Sequence, residues 1–503
     1  MTDSNNQGLR VLVTGANGYL GGRLVPQLLA AGHQVRCMVR RSDSLDDLPW
    51  HSGVEVVTAD ALDPETLDGA LIDIDVAYYL IHSMAGGEGF ADRDRQAADN
   101  FREAASRHGV RRIVYLGGLG GSSADLSGHL ASRHEVGRLL GTGPIPLTEV
   151  RAAVIIGSGS VSFEMLRHLT EVLPIMVTPR WVRTRCQPIA VRDILAVLVG
   201  LLDDDTPGHR ILEVGGPDVL TYREMMQIYA EEAGLRRRLI VPVAVLSPAL
   251  SSLWVGLVTD LPTDMARTLI HSLINEVIVA DNAAPGLTRH PLSSYRQAVA
   301  DALQRVEGRD ESTRGDTAVE QPAAPLPTDP AWAGASWLRD RQIVDTQARP
   351  EDVYWAVARV GGEVGYYAAG WAWRIRGKID RMVGGVGLRR DGGLRQELKV
   401  GDSLDFWRVA QVKPNQRLLL VAEMKLPGEA WLEFEINSGD GRTSLIQTAH
   451  FAPRGLWGRL YWYVLLPFHL MVFGPMAKKL VAAAELRSAA MTPRVEPSAN
   501  NAD

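Results

Sequence analysis

The sequence predicts an α/β protein with a doubly wound parallel sheet, followed by a smaller α+β domain. Near the start, the apolar run Val11–Val13 has the composition of a buried parallel strand, and leucines then recur at helical spacing at Leu20, Leu24 and Leu28. Strand and helix patterns alternate in this way to about residue 300. After residue 330, strand patterns follow one another and one apolar helix closes the chain.

Three glycines, Gly15, Gly18 and Gly21, lie where the first strand turns into the first helix. Glycines at this spacing allow a tight turn, the approach of backbone N–H groups to a pyrophosphate, and close packing of helix on strand. The helix N-terminus adds a partial positive charge. A second strand at 33–39 completes the start of a Rossmann sheet. We therefore predict a dinucleotide site, whose residues in this turn are Gly15, Asn17, Gly18, Tyr19, Leu20 and Gly21.

Two arginines, Arg40 and Arg41, follow the second strand, where this fold commonly presents an acidic residue to the ribose 2′-hydroxyl. A guanidinium pairs with phosphate and a carboxylate repels it, so the arginines favour NADP(H), with NAD(H) as a possible cofactor. The alternative is a pair of solvated surface arginines. Two further strands end at the same edge of the sheet, and we add the residues at their ends to the predicted cofactor site: Asp60, Ala61, Leu80, His82 and Ser83.

Length and composition indicate a soluble protein of several domains. The 503 residues exceed one ordinary core, and the net charge of −6 offers no basic surface for nucleic acid. Two cysteines support neither a disulfide framework nor a cysteine metal site, and we predict no metal. Proline-rich and charged composition predicts a linker at 306–330. The predicted parts are a cofactor-binding domain at 1–305, a second domain at 331–490 and a disordered tail at 491–503.

Residues 9 to about 300 resemble the extended and atypical short-chain dehydrogenase/reductases, including NmrA-like proteins. The likeness rests on the glycine turn, the arginines after the second strand, Asp60 with Ala61, and the segments at 100–116, 151–157 and 188–193. It implies a Rossmann fold and NAD(P)-dependent redox chemistry. The active site of that family is a Tyr-x-x-x-Lys pair, assisted by a hydroxyl after strand five. Here His129 and Arg133 stand in place of the pair, and Gly117 in place of the hydroxyl.

His129 and Arg133 are the candidate catalytic residues. A histidine can donate a proton near neutral pH, whereas an arginine stays charged and can only bind oxygens of the cofactor. A histidine on a helix surface is the alternative reading of His129. The residues thus predict nucleotide binding and leave turnover open.

The C-terminal part shows a strand, a short helix, a series of alternating strands and a long final helix. This order resembles the helix-grip proteins of the polyketide-cyclase and lipid-transfer superfamily, and the whole chain resembles bacterial nucleotide-binding proteins that carry a C-terminal domain of the DUF2867 type. The segment 460–477 is uncharged and is flanked by Arg459 and Lys478-Lys479. We predict a buried helix there, with membrane contact through residues 457–480 as the alternative.

These observations lead to two hypotheses. The first is an oxidoreductase-like protein that binds NAD(P)H, with NADP(H) favoured, and acts on a small apolar molecule such as a quinone, an isoprenoid or a lipid-derived carbonyl. The second is a non-catalytic redox sensor or assembly factor that binds NADP(H). For both, we predict a cytoplasmic protein without nucleic acid partners, with membrane association as the alternative. The sequence does not determine the oligomeric state.

Overall fold

The computed structural model describes residues 8–46, 48–82, 89–120, 126–242, 269–303, 338–361, 365–368, 370–382, 398–439, 442–453 and 455–491. The chain divides into two compact units, Met1–Gly334 and Ala335–Asp503. The predicted linker at 306–330 lies outside the described residues, as does all of the predicted tail except its first residue.

A seven-stranded parallel sheet forms the centre of the first unit, which confirms the predicted fold class. Its strands are β1 (Arg10–Thr14), β2 (Gln34–Val39), β3 (Glu55–Thr58), β4 (Val76–Tyr79), β5 (Arg112–Gly118), β6 (Leu147–Ala152) and β11 (Arg210–Val214). They lie in the order β11-β6-β5-β4-β1-β2-β3, with every neighbouring pair parallel. The strand order therefore reverses between β1 and β4. In such sheets this switch point opens the crevice in which ligands bind.

Helices cover the sheet because each presents one apolar face to it. They are α1 (Gly21–Ala30), α2 (Pro64–Leu71), α3 (Phe90–Arg107), α4 (Gly128–Leu140) and α6 (Val191–Gly200). Leu24, Val25 and Leu28 of α1 are fully buried in the cluster that contains Val11 and Val13 of β1. Ala98, Phe101 and Ala105 of α3 belong to a second cluster that contains Leu12.

A smaller lobe of the first unit packs around its own apolar cluster. It contains α5 (Val161–Val172), α7 (Tyr222–Glu232) and α9 (Tyr295–Leu303), whereas α8 (Ala284–Leu287) packs through Ala284 into the cluster of β1 and α1. Its short strands are β7 (Ile155–Ile156), β8 (Ile175–Thr178), β9 (Arg185–Cys186), β10 (Ile189–Ala190), β12 (Leu220–Thr221) and β13 (Leu239–Pro242). Phe163, Met225 and Tyr229 are fully buried, so this lobe is a packed structure and not a set of surface loops.

The second unit has a six-stranded antiparallel sheet. Its strands are β14 (Leu338–Thr346), β15 (Ser403–Leu404), β16 (Trp407–Lys413), β17 (Arg417–Ala422), β18 (Gly428–Gly439) and β19 (Arg442–Pro453), in the order β14-β19-β18-β17-β16-β15. The helices are α10 (Pro350–Val357), α11 (Gly370–Met382) and α12 (Gly455–Met491). The predicted strand, short helix, sheet and long final helix follow one another in this order, and α11 is an additional helix that was not predicted. The name helix-grip stays a prediction.

The final helix α12 differs along its length. Its C-terminal half buries Met476, Leu480 and Val481 in the core of the second unit, together with Leu418 and Phe434 of the sheet. By length and composition α12 could cross a membrane, yet 28% of its most apolar stretch is buried within the structure. The prediction of a buried helix therefore describes one side of it, because large apolar residues of its first half are exposed.

Candidate functional site

The glycine turn between β1 and α1 has the backbone geometry that its sequence predicts. Gly15 has φ +63°, in the left-handed region that favours glycine, and the Gly18 N–H donates to the Gly15 carbonyl at 2.9 Å. A Cβ placed on Gly21 would lie 2.8 Å from the Ala16 Cα and would overlap the Gly15 carbonyl. The glycine at position 21 therefore lets the helix start directly against the turn.

Thr14 joins the ends of β1 and β4. Its hydroxyl donates to the Tyr78 carbonyl at 3.0 Å and accepts from the Leu80 N–H at 2.9 Å. Because Gly15 follows Thr14 directly, these bonds fix the turn against the end of β4. A Cβ on Gly15 would lie 3.3 Å from the Leu80 carbonyl oxygen, so the two strand ends are in close contact.

A cleft of about 530 Å³ opens at this edge of the sheet. Its lining includes ten of the predicted site residues: Gly15, Asn17, Gly18, Tyr19, Leu20, Gly21, Leu80, His82, His129 and Arg133. The tertiary structure thus brings the glycine turn, the end of β4 and the start of α4 to one place. Ser83 lies outside the described residues.

The remaining predicted residues do not line the cleft. Arg40 and Arg41 are exposed, and the Arg41 guanidinium forms an ion pair with Asp43 at 2.6 Å. Asp60 accepts a hydrogen bond from the Leu62 N–H at 3.0 Å, and the carbonyl of buried Ala61 accepts from Asn100 at 2.9 Å. Asp60 and Ala61 therefore shape the loop after β3.

Two histidine rings lie side by side in the cleft. The ring centroids of His82 and His129 are 4.8 Å apart, and the Nδ1 of His82 is 3.7 Å from a carboxylate oxygen of Asp94. Among the described residues, nothing hydrogen-bonds to the buried Nε2 of His82 or the buried Nδ1 of His129. Each of these two nitrogens is thus a buried polar atom without a hydrogen-bond partner in the described part of the chain.

Both histidines are neutral at pH 7. Burial lowers the pKa of His82 to about 4, helped by the positive charge of Arg133 and opposed by Asp94. Burial, His82 and Arg133 together lower the pKa of His129 to about 3. His129 therefore carries no imidazolium proton near neutral pH, and its role as a catalytic residue stays a prediction. A neutral imidazole still donates one hydrogen bond and accepts another.

Contacts with strand β5 hold the Arg133 side chain in place at the cleft. Its guanidinium donates to the Leu116 carbonyl and lies 5.7 Å from the centre of the Tyr115 ring. The Tyr115 hydroxyl in turn donates to the Arg133 carbonyl at 3.1 Å. Arg133 therefore brings a fixed positive charge to the end of β5, where it lowers the pKa of both histidines.

The packing around Gly117 explains why residue 117 is a glycine, and the sequence alone does not reveal this. Buried Glu149 on β6 forms an ion pair with Arg151 at 2.7 Å. A Cβ on Gly117 would lie 2.9 Å from the Glu149 Oε1, and a Cβ on Gly137 of α4 would lie 2.5 Å from the Oε2. Both glycines make room for this carboxylate, which occupies the space beside position 117.

The sequence analysis did not predict the residues that form the far wall of the cleft. It comes from the smaller lobe and includes Tyr222, Leu269, Ser272, Leu273 and Val277. Thr221 and Glu224 form a capping box that marks the start of α7 in the sequence. A capping box predicts a helix end but not a cleft, so no local signal could have identified this wall.

The second unit contains a cavity of its own, of about 280 Å³. It lies between the sheet and the helices α11 and α12, and its lining includes Trp373, Trp407, Tyr461, Phe468 and His469. Trp407 belongs to the core of the second unit, with Trp373 packed against it, and both also line this cavity. Within the described part of the chain, the buried Nδ1 of His469 and Nε1 of Trp373 have no hydrogen-bond partner.

Comparison with known proteins agrees with this geometry. Residues 15–140 match a family described as NAD(P)H-binding, and residues 332–476 match DUF2867, a family described as a protein of unknown function. A ceramide reductase of Caulobacter vibrioides is 30% identical over 276 residues, which cover 52% of this chain and 84% of the relative. The chain belongs to the NAD(P)H-binding oxidoreductase-like family.

Two further similarities involve the same part of the chain. Subunit 9 of the NADH dehydrogenase [ubiquinone] 1 alpha subcomplex, from Arabidopsis thaliana mitochondria, is 26% identical over 58% of this chain and 77% of the relative. An NADPH-dependent quinone oxidoreductase structure from Escherichia coli has a TM-score of 0.48 at 20% identity, over 58% of this chain and 98% of that one.

The residues of the turn fit the cofactor of this family. A helix N-terminus favours a bound anion, and Tyr19 and Leu20, directly before α1, line the cleft. The N–H groups of Gly22 and Arg23 already donate to the Gly18 and Leu20 carbonyls. Gly15, Asn17, Gly18 and Gly21 of the same turn also line the cleft. The first unit is thus an NAD(P)H-binding domain, and its glycine turn is the part that would hold the pyrophosphate.

Proposed function

We propose that this chain is an NADP(H)-dependent reductase of an apolar carbonyl compound, with a quinone as the favoured acceptor. The observation that carries the proposal is the shared cleft. The glycine turn forms one wall of it, and apolar side chains that include Leu119, Val154, Leu273 and Val277 form much of the rest. One cleft can therefore hold a nucleotide and an apolar molecule together.

The cofactor, when bound, supplies a hydride. The chain must position the acceptor, exclude water and allow a proton to reach the product. The apolar wall excludes water. The buried imidazoles of His82 and His129 present nitrogens that can hold a carbonyl oxygen by a hydrogen bond.

The protonation state of the histidines favours a quinone over an isolated ketone. Hydride addition to a ketone gives a strongly basic alkoxide, which needs a good proton donor at the reacting atom. Hydride addition to a quinone gives a hydroquinone anion, which is much less basic and can take its proton from water. Because His82 and His129 have pKa values of about 4 and 3, neither carries an imidazolium proton at pH 7.

Arg40 supports the choice of NADP(H) over NAD(H). Its side chain is exposed directly after β2, and among the described residues no carboxylate pairs with it. Arg41 is paired with Asp43. Arg40 is thus the better candidate to bind a 2′-phosphate.

The name of the Caulobacter relative supports an apolar substrate, because a ceramide is a lipid. A lipid-derived carbonyl or an isoprenoid compound is therefore the second acceptor class to test. The imidazoles of the cleft can hydrogen-bond the oxygen of a quinone or of a lipid-derived ketone. The two acceptor classes differ in that the reduced ketone needs a stronger proton donor than the reduced quinone.

The test is oxidation of NADPH by the purified full chain in the presence of quinones and long-chain ketones. We expect turnover with a quinone. His129→Ala should lower kcat by about 10- to 100-fold, because the acceptor oxygen loses a hydrogen-bond donor. His51→Ala, at a partly exposed histidine outside the cleft lining, is the control and should leave kcat unchanged. Tight NADPH binding without turnover on any acceptor would refute the reductase proposal.

A non-catalytic NADP(H) sensor or assembly factor is the second candidate. It is favoured by His129, Arg133 and Gly117 at the positions where the resembled family has tyrosine, lysine and a hydroxyl. The Arabidopsis relative is named as a subunit of a larger assembly. For this candidate, NADPH should change the affinity for a partner protein while no acceptor is reduced.

A further inference from the structure

The outward side of the first half of α12 is apolar and exposed. Trp457 has 74% of its surface exposed, Val464 61% and Leu470 64%. The other exposed apolar side chains of this stretch are Leu456, Leu460, Tyr463, Phe468 and Met471. All eight residues lie between positions 456 and 471 of the helix. We call this set the α12 face. Solvent-exposed apolar surface of this extent marks a binding surface.

The opposite side of the same helix stretch packs inward. The Trp462 ring stacks on Phe451 of β19 with centroids 5.7 Å apart, and the Phe473 ring meets Trp373 of α11 at 6.1 Å. A helix that is apolar on all sides requires an apolar environment on all sides. The sheet supplies that environment for one side of α12 only.

The exposed charged side chains described on α11 and on α12 up to Ala484 are all basic. In α11 and in α12 up to Ala484, Asp380 is the only acidic residue, and it is 1% exposed. Exposed cations lie on both helices: Lys378 and Arg381 on α11, and Lys478 and Lys479 on α12. This local charge contrasts with the net charge of −6 of the whole chain.

From this combination we propose that the second unit docks on the surface of an anionic phospholipid bilayer through the α12 face. Apolar side chains enter the interface, and the neighbouring lysines and arginine meet lipid phosphates. A second copy of this chain is a poorer occupant, because an isologous contact would bring the same cations together. The proposal does not depend on the reductase activity.

The contacts of α12 favour docking on the surface over crossing of the membrane. A crossing would pull Trp462 away from Phe451 and Phe473 away from Trp373, and would open the core of the second unit. Docking leaves those contacts intact. It also places the rim of the 280 Å³ cavity at the lipid, because Ile375 and Phe468 both line that cavity and are 51% and 47% exposed.

The test is sedimentation of the full chain with vesicles of phosphatidylcholine alone, and with vesicles that contain phosphatidylglycerol in addition. We expect binding to the anionic vesicles that weakens with added salt, and little binding to neutral ones. Replacement of both Lys478 and Lys479 by glutamine should lower the partition coefficient by about 30-fold, or about fivefold per lysine. Equal binding to both vesicle types would overturn the electrostatic part of the proposal.

A triple variant in which serine replaces Trp457, Leu460 and Val464 tests the role of the apolar side chains in vesicle binding. These side chains are exposed, so the triple variant should fold like the wild type and lose vesicle binding by at least 10-fold. Ile343→Ser on β14, at a residue that is 57% exposed, is the matched control and should bind normally. The proposal fails if the triple variant still binds, or if the wild type is a dimer that the triple variant converts to monomer. It also fails if alkaline carbonate leaves the wild type in the membrane, because that result identifies a spanning helix.

Discussion

Gly21→Ala is the most direct test of the cofactor turn. The added methyl would lie 2.8 Å from the Ala16 Cα and 2.9 Å from the Gly15 carbonyl carbon, where ordinary contacts begin at 3.4 Å. It would overlap the Gly15 carbonyl oxygen as well. All three atoms belong to the backbone, so no side chain can rotate away. The N-terminus of α1 must therefore move by at least about half an ångström relative to the turn.

Such overpacking costs about 1 to 3 kcal/mol of folding free energy. Chemical denaturation of the full chain should show this loss as a lower midpoint for the transition of the first unit. The affinity for NADPH, measured by nicotinamide fluorescence, should fall by at least about 10-fold, because the helix N-terminus no longer lies in place.

Gly69→Ala is the matched control. Gly69 lies inside α2, and a Cβ there meets nothing within 4 Å. Alanine in a helix interior is favoured over glycine by about 0.5 to 1 kcal/mol, so this variant should be slightly more stable and bind NADPH normally. If Gly21→Ala matches the wild type in both stability and affinity, the argument for close packing at the turn is refuted.

Two further predictions concern charge. Arg40→Glu should weaken NADPH binding by about 10- to 100-fold and NADH binding by less than about threefold. Arg41→Glu should weaken NADPH binding less, because Arg41 is already paired with Asp43. Equal losses of affinity for both cofactors in Arg40→Glu would contradict a 2′-phosphate site at Arg40. Acid should destabilise the first unit through His82 and His129, whose folded pKa values of about 4 and 3 lie below the unfolded value of 6.5. The unfolded chain binds protons first, so this stability is complete above pH 6.5 and falls by about 2 kcal/mol per histidine between pH 6.5 and 5. Replacement of both histidines by glutamine should flatten the pH dependence of urea unfolding, and an unchanged profile would disprove their burial as neutral rings.

Much of the fold could be predicted because its signals are local. The three central residues of strand β1, Val11–Val13, are an uninterrupted apolar run, and they are fully buried. Position 15 favours glycine because its backbone lies in the left-handed region. In the second unit, alternation along β18 and β19 and the apolar stretch of α12 were also readable. Each of these patterns depends only on residues that are close together in the sequence, so it could be read from the sequence alone.

The site was predicted only in part, because much of it depends on contacts between distant residues. The turn, Leu80, His82, His129 and Arg133 meet in one cleft, as expected from the switch point of the sheet. Asp60 and Ala61 follow a strand end as well, yet they lie in a loop that is held by Thr66 and Asn100. Position after a strand therefore does not by itself place a side chain in the cleft.

By itself, the sequence determined the alternation of strands and helices at the start of the first unit, the nucleotide turn and the choice of cofactor class, because glycine conformation and apolar periodicity act over a few residues. Only the tertiary structure decided the charge state of the histidines and the use of the final helix. His129 is neutral because it is buried against His82 and Arg133. The helix α12 is divided between core and solvent because the sheet covers one side of it. Burial is a property of the whole fold, and no local pattern reports it.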